Sequence, residues 1–210
     1  MRNVGIILRR ELASYFATPL AYVFILIFLV LAAAFTFYLG GFFERGQADL
    51  DPFFSFHPWL YLFLIPAISM RLWAEERKTG SIELLMTHPL TMWEAVLGKF
   101  FAAWLFAGLA LALTFPIWIT ASYLGDPDNG AIFAAYVGSL LLAGFPLVLD
   151  AFRAWAPAAL VDAVASLSFL THFESIAKGV IDVRDLIYFA MLIGFFLLAT
   201  AITLDVRKSE

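Results

Sequence analysis

Long apolar runs alternate with short polar segments along the chain. Five of these runs are each long enough to cross a bilayer core of roughly 30 Å as a helix. They cover residues 20–43, 53–70, 95–124, 131–149 and 186–204. The pattern therefore predicts an all-α integral membrane protein with five to six membrane spans, forming a single transmembrane domain over residues 1–210.

Residues 1–18 have a different pattern, that of an amphipathic helix. Their apolar side chains recur at helical spacing, while the basic ones lie largely on another face. Such a helix is expected in the membrane interface, as an anchor or as a partner contact. Pro19 disfavours a helical Thr18, so we predict an elbow before the first span. Arg9, Arg10 and Glu11 are its candidate interfacial residues.

Composition agrees with a membrane protein and argues against several kinds of binding and catalytic site. Of the 210 residues, 63% are hydrophobic and 14% are charged, against about 25% charged in soluble domains. The net charge of −4 comes without a basic tract, so no nucleic-acid partner is expected. There is no cysteine, no phosphate-binding loop motif and no metal-ligand spacing among the three histidines. We therefore predict no enzymatic activity, no cofactor and no metal site.

The distribution of Lys and Arg predicts the orientation. Three lie in residues 1–18 and four in residues 71–99, whereas the loops at 42–57 and 124–130 have one and none. Positive charge favours the cytoplasmic side. We expect a cytoplasmic N-terminus and 71–99 loop in the cell inner membrane, with the acidic loops outside.

Two short features near the spans carry weaker predictions. The start of the second span holds His57, Trp59 and Tyr61, which are typical of an interfacial aromatic belt. Gly138–Ser139 lacks a G-x-S-x-G frame, so it indicates helix packing rather than a nucleophile.

Residues 157–185 are predicted to form an outer re-entrant region. The apolar run after Pro157 is too short to span, and ionisable residues there would be costly at mid-bilayer. The last span is followed by Arg207 and Lys208, which favour a cytoplasmic tail. A cytoplasmic tail and five spans conflict. The conflict predicts that 131–149 is not one simple crossing, with a re-entrant turn or a missing segment at Gly144–Phe145.

The stretch from Arg71 to Lys99 concentrates charge between two apolar runs. Gly80 permits a change of direction, and a helix beginning after it presents an apolar stripe. This helix could lodge in the groove of a soluble partner, or the segment could be a solvated loop. The candidate coupling residues are Glu75, Glu76, Arg77, Gly80, Ile82, Glu83, Leu85 and Met86.

This stretch resembles the cytoplasmic signature of ABC-2-type transporter permeases. Its pattern, E-E-R-x-x-G-S-x-E-L-L, is followed by a proline and by Gly98–Lys99. The segments "ELASYFATPLAYVF" and "FLTHFESIAKGVIDVRDLIYF" are similar to the gliding-motility-associated branch of that family. Members usually have six spans, so roughly one helical hairpin is missing between Gly144 and Phe145.

The resemblance implies a permease subunit coupled to a separate dimeric ATP-binding subunit through residues 71–99. It implies a second permease half, identical or related, a possible auxiliary membrane subunit, and the lipid bilayer as environment. A non-transporting membrane scaffold or degenerate permease acting in assembly is the alternative.

Overall fold

The computed structural model describes residues 2–62, 64–68, 91–153, 173, 176–178 and 182–208. Within these ranges all regular structure is helical. Residues 57–62 and 64–68 are helical as well. The principal helices are α1 (Arg2–Phe16), α2 (Pro19–Ala34), α3 (Asp51–Ser55), α4 (Met92–Ala112), α5 (Phe115–Leu124), α6 (Asn129–Arg153) and α7 (Val183–Lys208).

Three stretches of the described residues are long and apolar enough to cross a membrane. They are Pro19–Leu39, Trp93–Leu124 and Val183–Ile202, and Asn129–Gly144 is a shorter apolar helix. The first comprises α2 and a π-helical turn, Phe35–Leu39. These features confirm the prediction of an all-α membrane protein.

The predicted elbow lies between α1 and α2. Thr18 has an extended backbone, with φ −117° and ψ 144°, and Pro19 begins α2. Proline is favoured in a first helical turn because its missing N–H has no partner to lose there. The Thr18 hydroxyl donates to the carbonyl of Tyr15 at 3.0 Å, which satisfies an end of α1.

The third apolar run is broken, although the sequence pattern indicated one helix over 95–124. α4 ends at Ala112, and α5 begins at Phe115 after a turn at 113–114. Pro116 cannot donate a hydrogen bond to the preceding turn, so the α-helical ladder cannot continue through it. The Thr114 hydroxyl donates to the carbonyl of Leu111 at 2.6 Å instead.

Helix α6 corrects the expectation for residues 131–149. It is continuous from Asn129 to Arg153 and passes through Gly144 and Phe145 without interruption. A re-entrant turn or a break at that junction is therefore wrong. The comparison with a six-span ancestor stays a prediction.

Helix α4 is the centre of the packing. It contacts α1, α2, α6 and α7. Ala102 and Ala103 on α4 have no exposed surface. Small residues let helix backbones approach closely where lipid supplies no hydrophobic driving force between helices.

The two acidic loops lie at one end of the molecule. A Cβ on Gly125 would collide with the side chain of Ala48, and Asp51 and Asp128 border the same small cavity. Ala177, from the predicted outer region, lines that cavity too. The N-terminal half of α1 and the start of α4 pack against each other elsewhere in the molecule.

Candidate functional site

α1 lies along the first half of α4, and the two helices run in the same direction. Successive contacts join Asn3 to Glu94, Ile7 to Gly98 and Glu11 to Lys99. Farther along, the ring of Tyr15 stacks on that of Phe106, with centroids 5.0 Å apart and planes 15° apart. We call the surface formed by Asn3, Ile7, Glu11, Glu94, Gly98 and Lys99 the α1–α4 junction.

Glu94 fixes both the start of α4 and the start of the junction. Thr91 caps α4 through a capping box, in which its side chain accepts from the Glu94 N–H and the Glu94 carboxylate accepts from the Thr91 N–H. This reciprocal arrangement satisfies two backbone donors of the first turn. The Asn3 amide also donates to both Glu94 oxygens, each at 3.1 Å. The beginning of α4 is thus bound directly to α1.

The ion pair between Lys99 and Glu11 is the most buried polar contact of the junction. The Lys99 ammonium donates to Glu11 Oε1 at 3.2 Å, and the two side chains are 3% and 14% exposed. A buried ammonium is costly unless a charge partner compensates its lost hydration. Glu11 supplies that negative charge, which ties the middle of α1 to α4.

Gly98 allows the helices to come this close. A Cβ added at Gly98 would lie 2.7 Å from Ile7 Cγ2, far inside normal contact distance. Any larger residue would push α1 outward and lengthen the ion pair one residue further along. Glycine is therefore required at this position by packing rather than by backbone conformation.

The structure separates the three predicted interfacial residues by role. Arg9 is exposed, and Arg10 is 62% exposed while donating to Glu11 Oε1 at 2.9 Å. Only Glu11 faces α4. The eight predicted coupling residues, from Glu75 to Met86, lie outside the described residues, so their role stays a prediction.

Sequence reasoning missed Asn3, Ile7 and Glu94 as functional candidates. The spacing of Asn3, Ile7 and Glu11 at i, i+4 and i+8 places them on one helix face and could have revealed a polar contact there. The Gly98–Lys99 pair was part of the recognised signature, but nothing in its pattern names a partner.

A second polar cluster lies deep between helices, and it is neutral. The Tyr61 hydroxyl bonds the Ser139 hydroxyl at 3.0 Å, and the Thr114 hydroxyl bonds that of Tyr136 at 3.0 Å. These bonds connect α6 to the second apolar run and to the α4–α5 turn. We call these four residues the hydroxyl cluster. Ser139 thus serves helix packing, as the sequence indicated.

His57 borders this cluster and corrects another expectation. His57 and Tyr61 are fully or almost fully buried, whereas only Trp59 is exposed, so an aromatic belt is wrong for the first two. His57 Nδ1 lies 3.0 Å from the Phe53 carbonyl, which can only accept, so Nδ1 carries the proton. Nε2 has no hydrogen-bond partner among the described residues. Aromatic rings of Phe28, Phe53 and Phe54 surround the imidazole.

Neither arrangement resembles a catalytic or metal centre. Within the described ranges, no group of three or more His, Asp or Glu side chains could hold a metal ion. The junction can instead transmit displacement between two helices, because its contacts are directional and partly buried.

Comparison with known families supports a membrane transport protein. Residues 56–145 match the family model described as CcmB protein, which covers less than half of the chain. That family is described as the permease component of an ABC-type transporter, a haem exporter. No curated protein matches the chain significantly. The match supports an ABC-transporter permease subunit in general, a coarser class than the ABC-2 branch that the sequence resembled.

Proposed function

We propose that the chain is the membrane permease subunit of an exporter-like ABC transporter of the ABC-2 type. ATP hydrolysis belongs to a separate subunit. The observation that carries the proposal is the buried pair of Lys99 with Glu11, 3.2 Å apart. Lys99 is the last residue of the recognised signature, and the pair ties that signature to the N-terminal helix. The family match over 56–145 supports the class.

The α1–α4 junction could carry movement from the ATPase contact to the membrane spans in this function. The ATP-binding dimer receives the segment around Gly80–Met86, and its closure displaces the start of α4 at Met92. Since Asn3 and Glu11 hold α1 to α4, the two helices move as one body. The elbow at Thr18–Pro19 then passes the motion to α2, so two spans respond to one ATPase contact. Such rigid-body rocking between packed elements is a common form of switching.

The assembly needs further partners. Two permease halves, identical or related, enclose a path, and an auxiliary membrane subunit can complete the complex. The N-terminus and the 71–99 segment face the cytoplasm of a cell whose inner membrane holds the complex. The family that matches residues 56–145 works with an ABC ATPase and partner subunits, which supports this kind of assembly.

A charge exchange tests the junction. The complex is reconstituted in proteoliposomes, and ATP hydrolysis by the co-purified ATPase is compared with and without the permease. Glu11→Lys should abolish permease-dependent stimulation, because two cations would then face each other. Glu11→Lys combined with Lys99→Glu should restore part of it. Arg9→Gln is the control, since Arg9 is exposed. Unchanged stimulation in a correctly inserted Glu11→Lys variant would refute the transmission role.

The coupling residues have their own test. Glu83→Lys and Leu85→Asp should each weaken co-purification of the ATPase while leaving membrane insertion intact. Arg9→Gln, on the exposed face of α1, serves as the control. Full binding and full stimulation in both variants would show that the partner docks elsewhere.

A non-transporting scaffold or degenerate permease is the second candidate function. One observation favours it: the family match ends at Phe145, the position where the resemblance to six-span permeases leads us to expect a missing hairpin. A scaffold would hold the ATPase without altering its rate. The scaffold function would therefore be supported if the ATPase co-purifies with the wild-type chain but hydrolyses ATP at the same rate with and without it.

A further inference from the structure

An open crevice lies at the end of the molecule where the acidic loops meet. It has a volume of about 500 Å³ and is lined by residues of α3, by Pro58 and Trp59 that follow it, and by Phe173, Ala177 and Lys178. Sites for small ligands usually enclose 300–1,000 Å³ and combine apolar walls with a few polar groups. The crevice has both properties.

Its walls are aromatic. Phe54 and Phe173 are each 2% exposed and form the buried part of the lining, whereas Trp59 is 58% exposed. Residues beyond Asp51 enter the second apolar run, so the crevice lies where the polar loop gives way to membrane. An exposed Trp at this level is characteristic of a membrane–water boundary.

Two opposite charges stand at the same crevice. Asp51 and Lys178 both line it, and both residues are exposed. Neither side chain forms an ion pair with any described residue. The Ser55 hydroxyl lies in the lining as well, and it donates to the Pro52 carbonyl at 3.1 Å. One anion and one cation above aromatic walls complement a ligand that carries one charge of each sign.

We propose that this crevice binds the headgroup of a zwitterionic phospholipid with a primary ammonium, the phosphatidylethanolamine class. Lys178 pairs with the phosphate, and Asp51 accepts hydrogen bonds from the ammonium, which also meets the Trp59 ring. A choline headgroup has no N–H to donate, and an anionic headgroup offers Asp51 no cation. This lipid site is independent of the proposed coupling function.

Lipid retention on the purified full-length chain tests the proposal. Native mass spectrometry compares phosphatidylethanolamine, phosphatidylcholine and phosphatidylglycerol with identical acyl chains. For wild type, we expect about a two- to fivefold preference for phosphatidylethanolamine, the scale of exposed charge contacts. Equal retention of phosphatidylethanolamine and phosphatidylcholine by wild type would overturn the proposal without any variant.

Variants separate the two charges. Asp51→Asn should remove the preference over phosphatidylcholine, while Lys178→Gln should lower retention of all three lipids. Asp126→Asn and Arg184→Gln are matched controls, since both residues are exposed and do not line the crevice. A preference for phosphatidylethanolamine that survives Asp51→Asn would refute a lipid headgroup site built on these charges.

Discussion

The α1–α4 junction and the hydroxyl cluster join helices by different chemistry. The junction uses a carboxylate–ammonium pair and an amide–carboxylate contact, whereas the cluster uses only neutral hydroxyls. Charges are costly at the centre of a bilayer and cheaper near its surface. The difference fits the proposed function, in which α1 and α4 move together while the helices beside α6 can shift. Strong charged contacts hold α1 to α4, and weak neutral bonds can break and re-form beside α6.

Removing one charge of the junction should have the largest effect. Glu11→Gln removes the carboxylate that lies 3.2 Å from the buried Lys99 ammonium, and losing the charge of one partner of a buried pair costs about 3–5 kcal/mol. We expect a value near the lower end because Glu11 keeps 14% exposure. The free energy of unfolding in mixed micelles, followed by circular dichroism during SDS titration, measures the loss.

A double substitution provides the control for this prediction. Glu11→Leu with Lys99→Met removes both charges and should restore most of the lost stability, because an apolar pair avoids the desolvation cost. If the double variant is as unstable as Glu11→Gln, the loss arises from packing and not from the removal of the Glu11 charge.

Closing the space at Gly98 should have the next largest effect. Gly98→Ala forces its Cβ against Ile7, and overpacking of this kind costs about 1–3 kcal/mol. Gly5→Ala on α1 meets no atom within 4 Å and should instead be neutral or slightly stabilising. The same unfolding titration compares the two. Equal effects would contradict the close approach of α1 and α4.

The hydroxyl cluster should respond much less. Tyr61→Phe and Ser139→Ala each remove one neutral bond between helices, which is worth about 0.6 kcal/mol in a membrane protein. The double variant should cost no more than either single one, since both remove the same bond. If the stability losses of the two single variants add up in the double variant, the two residues act independently, which would argue against the 3.0 Å contact.

The exposed pair of Arg10 with Glu11 should matter least. Arg10→Gln removes a contact whose cation is 62% exposed, and such surface pairs contribute about 0–1 kcal/mol. We expect no resolvable change in the unfolding midpoint at 0.15 M salt. A loss comparable to that of Glu11→Gln would mean that Arg10, rather than Lys99, is the functional partner of Glu11.

Several elements could be predicted from local pattern alone. Apolar length and the elbow proline predicted a first span from residue 20, and α2 begins at Pro19. The last span was expected over 186–204, and α7 covers Val183–Lys208. The break at Thr114 also has a local cause, Pro116, which a pattern based on hydrophobicity overlooks. These features depend on residues within a few turns of one another, so the sequence contains the whole signal.

What the sequence determined by itself is the helical membrane class, the positions of most helices and the concentration of charge in residues 71–99. Tertiary structure alone decided that Glu11 meets Lys99, 88 residues away, and that Asn3 meets Glu94, 91 residues away. It also decided that His57 and Tyr61 are buried, although their type and position suit an interface equally well. The physical reason is that helix formation follows from local hydrogen bonding and apolar length. The partner of a buried charge depends instead on which helices pack together, and a short sequence pattern does not specify that.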